Sequence, residues 1–391
     1  MTHWRTILAI DHDAKACEVY RANIDIEPGR VLCREVCDVI GDLPYADVIL
    51  GGPPCQPYSS AGKQQGEDDA RDCVPDFCAA VEKIKPRMFL MEEVDAFAEQ
   101  VKFQAVFHRT VKRLEDAGYV VQVRVLDAVK FGVPQFRNRA WTWGIRADLF
   151  DAGVRHSWPR PTHAWPHPKQ ACMFGGDLLP AVTVGQALGL SLEPDNRRID
   201  GATGWSGQRV QGGAVPSSAI TGEGTNPEFI GISRWSDAML EKHPPASPAS
   251  PAPTVLGKFF KGGAEGLVEI DTKQARTRRS ATAPAPAPAP APALAHDSRH
   301  EIKRGGLTVR RLTPAECARL QSMPDDFVWP ASVAKTHRYR IIGNGWASLM
   351  AKRMGEALHA ADPASETVID LFCGGGLGAV GLHGRAWEYQ R

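Results

Sequence analysis

Cys55 stands in Gly51-Gly52-Pro53-Pro54-Cys55-Gln56-Pro57-Tyr58-Ser59-Ser60, directly after Ala46-Asp47-Val48-Ile49-Leu50. That apolar, β-branched run predicts a buried strand. Two glycines and two prolines then halt it, and the Pro-Pro pair fixes two φ angles and removes two backbone donors, so the loop is stiff. A stiff loop at a strand end is where an α/β sheet presents reactive groups to a ligand. One reading of Cys55 is therefore an exposed nucleophilic thiolate; the other is a small buried hydrophobe, as most lone cysteines are. Glu92 and Glu93 follow a second apolar run, Arg87 to Met91. A carboxylate at such a strand end can be desolvated and hold its proton more tightly. Two adjacent glutamates imply that at least one is a solvated loop acid. In Gln135-Phe136-Arg137-Asn138-Arg139, arginines two apart on an extended stretch point to one side. They read as a fork for phosphate or a base edge, with surface salt bridges as the alternative.

These groups need elements to hold them. Thr6 to Ile10 predicts a strand ending at Asp11-His12-Asp13, with a helix from Ala14 to about Asn23. An acid at such a strand end commonly accepts hydrogen bonds from a ribose, which makes Asp11 a candidate. Helical spacing recurs over Pro75 to Lys85 and Phe103 to Ala117, and Tyr119 to Leu126 predicts another strand. Thr313, Pro314 and Glu316 form a capping-box signature that starts a helix. A further helix is expected over Ala347 to Ala360. Near the end, Thr367 to Leu371 is a strand running into the turn Phe372-Cys373-Gly374-Gly375-Gly376-Leu377-Gly378, with a helix from Ala379 to about Trp387. Glycines there let the backbone approach a ligand closely.

The 391 residues, with 43% apolar and 23% charged side chains, suit one large soluble domain plus a smaller one. No apolar run approaches the roughly 20 residues that span a bilayer, and no signal-peptide pattern opens the chain; a cytoplasmic, non-membrane protein is expected. Nine scattered cysteines without a CxxC pair argue for a reduced compartment and against a zinc site. From about Asp151 the composition turns to Gly, Pro, Ser, Thr and Trp, and Ala283 to Ala293 alternates Ala and Pro. Net charge is only +1, yet Lys273, Arg276, Arg278, Arg279, Arg299, Lys303, Arg304, Arg310 and Arg311 gather within 39 residues, which favours a polyanion partner over a merely solvated run.

Together these segments resemble the DNA (cytosine-5)-methyltransferase family. The likeness rests on Phe372-x-Gly374-x-Gly376, Pro54-Cys55-Gln56, the Glu92 segment, Gln135-x-Arg137-x-Arg139, Arg311 to Arg319 with its Thr-Pro-x-Glu-Cys-Ala-Arg, and Gly343-Asn344. Motif order departs from the family's: the glycine turn, normally first, is last, and joining Arg391 to Met1 would restore it. The chain reads as a circular permutant. The resemblance implies an α/β fold, a doubly wound Rossmann-like methyltransferase sheet with a smaller, loop-rich target-recognition domain. The division would be 1–152 and 336–391 for the catalytic domain and 153–335 for recognition, including a low-complexity stretch at 281–295.

It further implies that Cys55 attacks the cytosine ring, that Glu92 holds its N3/N4 edge, and that Arg139 bonds its O2, with Arg137 as support or phosphate contact. S-adenosyl-L-methionine would be held by Phe372, Gly374, Gly376, Asp11, His12, Asp38, Pro54, Val74 and Asn344, with no metal. Double-stranded DNA would be the partner of a monomer that flips its target base. The enzyme would be the modification member of a restriction-modification system, beside a separate endonuclease, or an orphan or phage methylase. The alternatives are a catalytically impaired DNA-binding homologue and a tRNA cytosine-5 methyltransferase. Two positions break the pattern: Glu93 replaces the usual Asn, placing a charge beside Glu92, and Gly345-Trp346 stands where small residues usually follow Gly-Asn.

Overall fold

The computed structural model describes residues 4–54, 72–164, 178–189 and 312–389, with the backbone of short strands at 217–218, 268–269, 302–304 and 307–310. Cys55, residues 56–71, the Ala-Pro alternation and the side chains of the basic gathering lie outside the described residues.

Seven strands form the central sheet: β1 (Arg5–Asp11), β2 (Val31–Cys33), β3 (Val48–Gly51), β4 (Met88–Val94), β5 (Tyr119–Asp127), β6 (Asn138–Arg146) and β7 (Thr367–Leu371). Their spatial order is β2-β1-β7-β3-β4-β6-β5. The pairs β2–β1, β1–β7, β7–β3 and β3–β4 are parallel, whereas β6 runs antiparallel to both β4 and β5. The strand nearest the C-terminus thus lies in the middle of the sheet, between β1 and β3.

Alternation of side chains along each strand supplies two cores. Ile49, Phe89, Met91, Ile369 and Leu371 face one side and share a buried cluster with Phe77, Val81 and Leu114 of helices Val74–Ile84 and Gln104–Asp116. Val48, Leu50, Met88, Leu90 and Val368 face the other, with Trp141, Trp143 and Met354 of helix Ser348–Ala361. A buried aliphatic or aromatic side chain of this kind contributes about 1.5–3 kcal/mol. Helices on both faces of a mostly parallel sheet make this a doubly wound α/β fold.

A third cluster joins helices Ala14–Asn23, Pro314–Leu320, Lys335–Asn344 and Leu377–Leu382 through Tyr20, Cys317, Leu320, Ile341, Ile342 and Val380. Buried residues between Leu312 and Val333, which the sequence reading assigned to the recognition domain, share a core with helices Ala14–Asn23 and Leu377–Leu382. Local signals worked where a cap was present. Asp13 caps the helix at Ala14 by accepting from the backbone N–H of Lys15 and Ala16, and the Thr313–Glu316 box closes in both directions. The elements that escaped the sequence reading include β2, β6, the short helices Asp95–Glu99 and Ala147–Asp151, and the helix Lys335–Asn344, whose polar sequence buries only Tyr339, Ile341, Ile342 and Gly343. The last helix stops at Leu382 rather than near Trp387, because Gly384 enters the left-handed region at φ 80°. Among the described residues no helix is long and apolar enough to cross a membrane.

Candidate active site

Parallel pairing brings strand ends to one edge. Ile10 pairs with Leu371, Leu371 with Gly51, and Gly51 with Met91, so Asp11, Phe372, Gly52 and Glu92 follow one another along the C-terminal rim. This rim, beside a strand inserted out of chain order, is where doubly wound sheets bind ligands.

The glycine turn begins with Phe372 at φ 56°, a conformation costly for a residue with a Cβ, followed by Gly374 at 53° and Gly376 at 84°. The Asp11 carboxylate pins it: one oxygen accepts from the Gly374 N–H at 2.8 Å and the other from the Asp13 N–H at 2.8 Å. Burial nonetheless pushes the Asp11 carboxyl above its ordinary range, these two hydrogen bonds opposing the shift. The three glycines differ in surroundings. A Cβ on Gly374 would meet nothing within 4 Å, whereas one on Gly375 would lie 2.5 Å from Ile341 and one on Gly376 3.0 Å from Tyr20. Gly374 opens onto free space; Gly375 and Gly376 are glycine for close packing. His12, Asp38 and Asn344 are exposed near the ends of their elements, and Pro54 is half-buried. The Val74 side chain is buried in the core cluster with Val36 and Phe77.

Glu92 sits at the rim with 8% exposure, and its Oε1 lies 2.9 Å from Arg139 Nε. The antiparallel pairing of β4 with β6 sets this distance, since Val94 is opposite Arg139 and Glu92 opposite Trp141. Neither glutamate is a solvated loop acid, contrary to the sequence reading: Glu93 is 1% exposed. Its Oε2 accepts the Val94 N–H at 3.1 Å and its Oε1 has no partner among the described residues. Desolvation, reinforced by the charge of Glu92, holds the Glu93 carboxyl well above its ordinary range, so the charge expected beside Glu92 is suppressed.

This has a consequence for stability. The folded state keeps the Glu93 proton at pH values where an unfolded carboxyl near 4.5 has lost it. The contribution is intact below about pH 4.5 and falls as pH rises toward the folded value. Asp370, buried against the Tyr20 hydroxyl at 3.1 Å and pushed up to about 7 by desolvation, acts with the same sign. Glu93→Gln, neutral at every pH, is expected to raise the unfolding midpoint by a few degrees at pH 8 and by almost nothing at pH 4. Calorimetry at both pH values checks this, and an equal change at both would refute it.

The arginines do not form a fork. Arg139 meets Glu92, but Arg137 is 3% exposed and turns inward, its Nη2 donating to the Gly345 carbonyl at 3.0 Å and both Nη to that of Gly343 at 3.3 Å. The expected same-side pair fails because Arg137 precedes β6 rather than lying within it. It is a clasp on the Asn344 segment. Gln321 and Gln135 extend the clasp: Gln321 Nε2 donates to the Gly345 carbonyl at 2.7 Å, and Gln135 Nε2 donates to Gln321 Oε1 at 2.7 Å. The sequence reading missed Gln321, whose only signal is its place just after the capped helix.

Comparison with known proteins gives three kinds of match. The model of the family described as C-5 cytosine-specific DNA methylase matches residues 1–360. Type II methyltransferase M.NgoFVII of Neisseria gonorrhoeae is 30% identical over 353 residues, covering 87% of this chain and 76% of its own length. Type II methyltransferase M.NlaX of Neisseria lactamica is 25% identical over 362 residues, covering 91% and 89%. Among solved structures, the Dnmt2 methyltransferase of S. pombe aligns with a TM-score of 0.47 at 16% identity, covering 91% of each chain.

Proposed function

The chain belongs to the C-5 cytosine-specific DNA methylase family, and we propose that Cys55, Glu92 and Arg139 carry its reaction on a flipped-out cytosine. The observation that carries the reading is the Glu92–Arg139 pair at 2.9 Å on the ligand-binding rim. Cytosine presents N3 and O2 side by side, so an adjacent carboxyl and guanidinium match that edge. Glu92 donates or shares a proton at N3 and accepts from N4, drawing electrons from the ring. Arg139 bonds O2 and stabilises the charge that develops there. The Cys55 thiolate adds to C6, which makes C5 nucleophilic. C5 would take the methyl with the thioether S-adenosylhomocysteine as leaving group, after which the C5 proton passes to water and β-elimination of the C6–S bond releases the Cys55 thiolate. A stacked base cannot reach these groups, which is why the cytosine leaves the helix.

S-adenosyl-L-methionine supplies the electrophilic methyl of its sulfonium. Support for its place is the open space at Gly374 and the Asp11 carboxylate at the same turn. Asp11 takes the ribose hydroxyls, Asp38 the adenine amino group and His12 the adenine face. Phe372, Gly374 and Asn344 would hold the methionine side. Asp11→Ala removes both the ribose acceptor and the anchor of the Gly374 N–H, and cofactor affinity is expected to fall at least about tenfold. Isothermal titration without DNA measures it; unchanged affinity would remove Asp11 from the site.

The chain is a circular permutant of the family's usual order, a reading supported by β7 lying between β1 and β3 in a parallel sheet. It works as a monomer on double-stranded DNA in the cytoplasm, the modification member of a restriction-modification pair. Support comes from relatives named as Type II methyltransferases and from the free thiols of Cys17, Cys33, Cys37, Cys73, Cys78, Cys317 and Cys373. The test is methyl transfer from labelled S-adenosyl-L-methionine to duplex DNA and to tRNA, with bisulfite sequencing of the DNA. Methylated cytosines in a recurring duplex sequence are expected; transfer to tRNA alone, or none while cofactor binds, would overturn the reading.

A further inference from the structure

Trp346 follows the segment clasped by Arg137 and Gln321, and three parts of the site meet on its indole. A Cβ on Gly52 would lie 2.8 Å from Trp346 Nε1 and 3.5 Å from Glu92 Oε2, so indole and carboxylate flank one point above the Gly52 turn. On another side, a Cβ on Gly378, in the helix after the cofactor turn, would lie 3.1 Å from Trp346 Cε3. Trp141, opposite Glu92 in the sheet, packs edge-on against the indole at 4.9 Å. The indole is only half-buried, unlike Trp141 and Trp143, and its backbone is held through the Gly345 carbonyl. It is therefore a fixed wedge between the turn leading into Cys55, the acid at the rim and the cofactor turn.

We propose that Trp346 is a positioning residue of the methyl transfer, the spacer that sets how far the Gly52–Pro54 turn stands from Glu92 and the cofactor turn. The inference rests on Cys55 as the nucleophile. Pro53 and Pro54 make the chain after Gly52 stiff, so a displacement there is passed on to Cys55 rather than absorbed. Errors of about 1 Å in the approach of reacting atoms cost on the order of a hundredfold in rate. Gly52 is not in the left-handed region, so the obstacle to a side chain there is contact with Trp346, not backbone strain.

The experiment is the rate of covalent trapping on duplex DNA substituted with 5-fluorocytosine, in which C5 has no proton to lose and the adduct accumulates. It is run with S-adenosyl-L-methionine on the full chain, with cofactor affinity measured in parallel as the check on folding. Trp346→Val and Gly52→Ala are each expected to slow trapping at least tenfold while cofactor affinity changes less than threefold. The double variant is expected to trap faster than Gly52→Ala alone, because the new methyl occupies space the indole has left. Trapping by Trp346→Val at the rate of the unaltered chain, or a double variant slowed by the product of the two single effects, overturns the proposal. If Trp346→Val does not fold, Trp346→Phe carries the same comparison, keeping a ring against Gly378 and Trp141 while relieving Gly52→Ala. No adduct from the unaltered chain would instead overturn the Cys55 reading, and this inference with it.

Discussion

Cys55→Ser is expected to lose methyl transfer by roughly 10⁴-fold or more while binding S-adenosyl-L-methionine with unchanged affinity. The loss follows from chemistry: a serine hydroxyl is almost wholly protonated at neutral pH, and its oxygen is a poorer nucleophile than a thiolate toward an unactivated ring carbon. Retained binding follows from the sheet. The groups assigned to the cofactor under the proposed function stand at the end of β1, in the turn after β2, on the turn after β7 and at the end of helix Lys335–Asn344, none of which depends on the sulfur. Single-turnover transfer and titration calorimetry measure the two quantities separately. A serine variant with wild-type turnover would remove Cys55 from the mechanism, and a variant that binds no cofactor would show that the substitution disturbs the rim as a whole.

Glu92→Gln is expected to lower the single-turnover rate by about 10²–10⁴, the range for removing a positioned acid-base group. Glutamine keeps the length and an acceptor for Arg139 Nε but cannot give a proton to N3. Two effects must be separated, because Glu92 is also half of a largely buried ion pair at 2.9 Å with Arg139. Breaking such a pair from one side costs about 3–5 kcal/mol when the remaining charge is left bare. The amide oxygen still accepts from the guanidinium, so the stability cost in this variant should be smaller than in Glu92→Ala. A rate loss in Glu92→Gln with a nearly unchanged unfolding midpoint identifies the proton as what was lost. A rate loss that instead tracks the midpoint across Gln, Asp and Ala would mean that Glu92 serves only to hold Arg139.

Glu93 shows how far a departure from pattern can mislead when only its charge is considered. Two neighbouring glutamates predict mutual repulsion and at least one solvated acid. In the sheet Glu93 alternates to the opposite face from Glu92, is enclosed and holds its proton, so it differs little in charge from the amide it replaces. Trp346 is a similar case. As a sequence feature it is a bulky residue where small ones are usual; in the structure Gly52 and Gly378 leave it room.

What the sequence determined by itself was local. The strand preceding the Gly-Gly-Pro-Pro turn, the Asp13 and Thr313 caps, the glycine turn after Thr367–Leu371 and the carboxylates at strand ends all depend on residues within a few positions of one another. The chemistry proposed for Cys55, Glu92 and Arg139 came from the same kind of signal, since each lies in a short motif. Tertiary structure alone decided which strands are neighbours, that β7 runs through the centre of the sheet, and that Arg139 meets Glu92 while Arg137 turns to Gly343 and Gly345. It also decided that helix Lys335–Asn344 forms despite its weak apolar stripe. Periodicity reports which face of an element is apolar, but not which distant element covers that face. The destination of a long polar side chain is fixed only when strands and helices far apart in the chain have packed together.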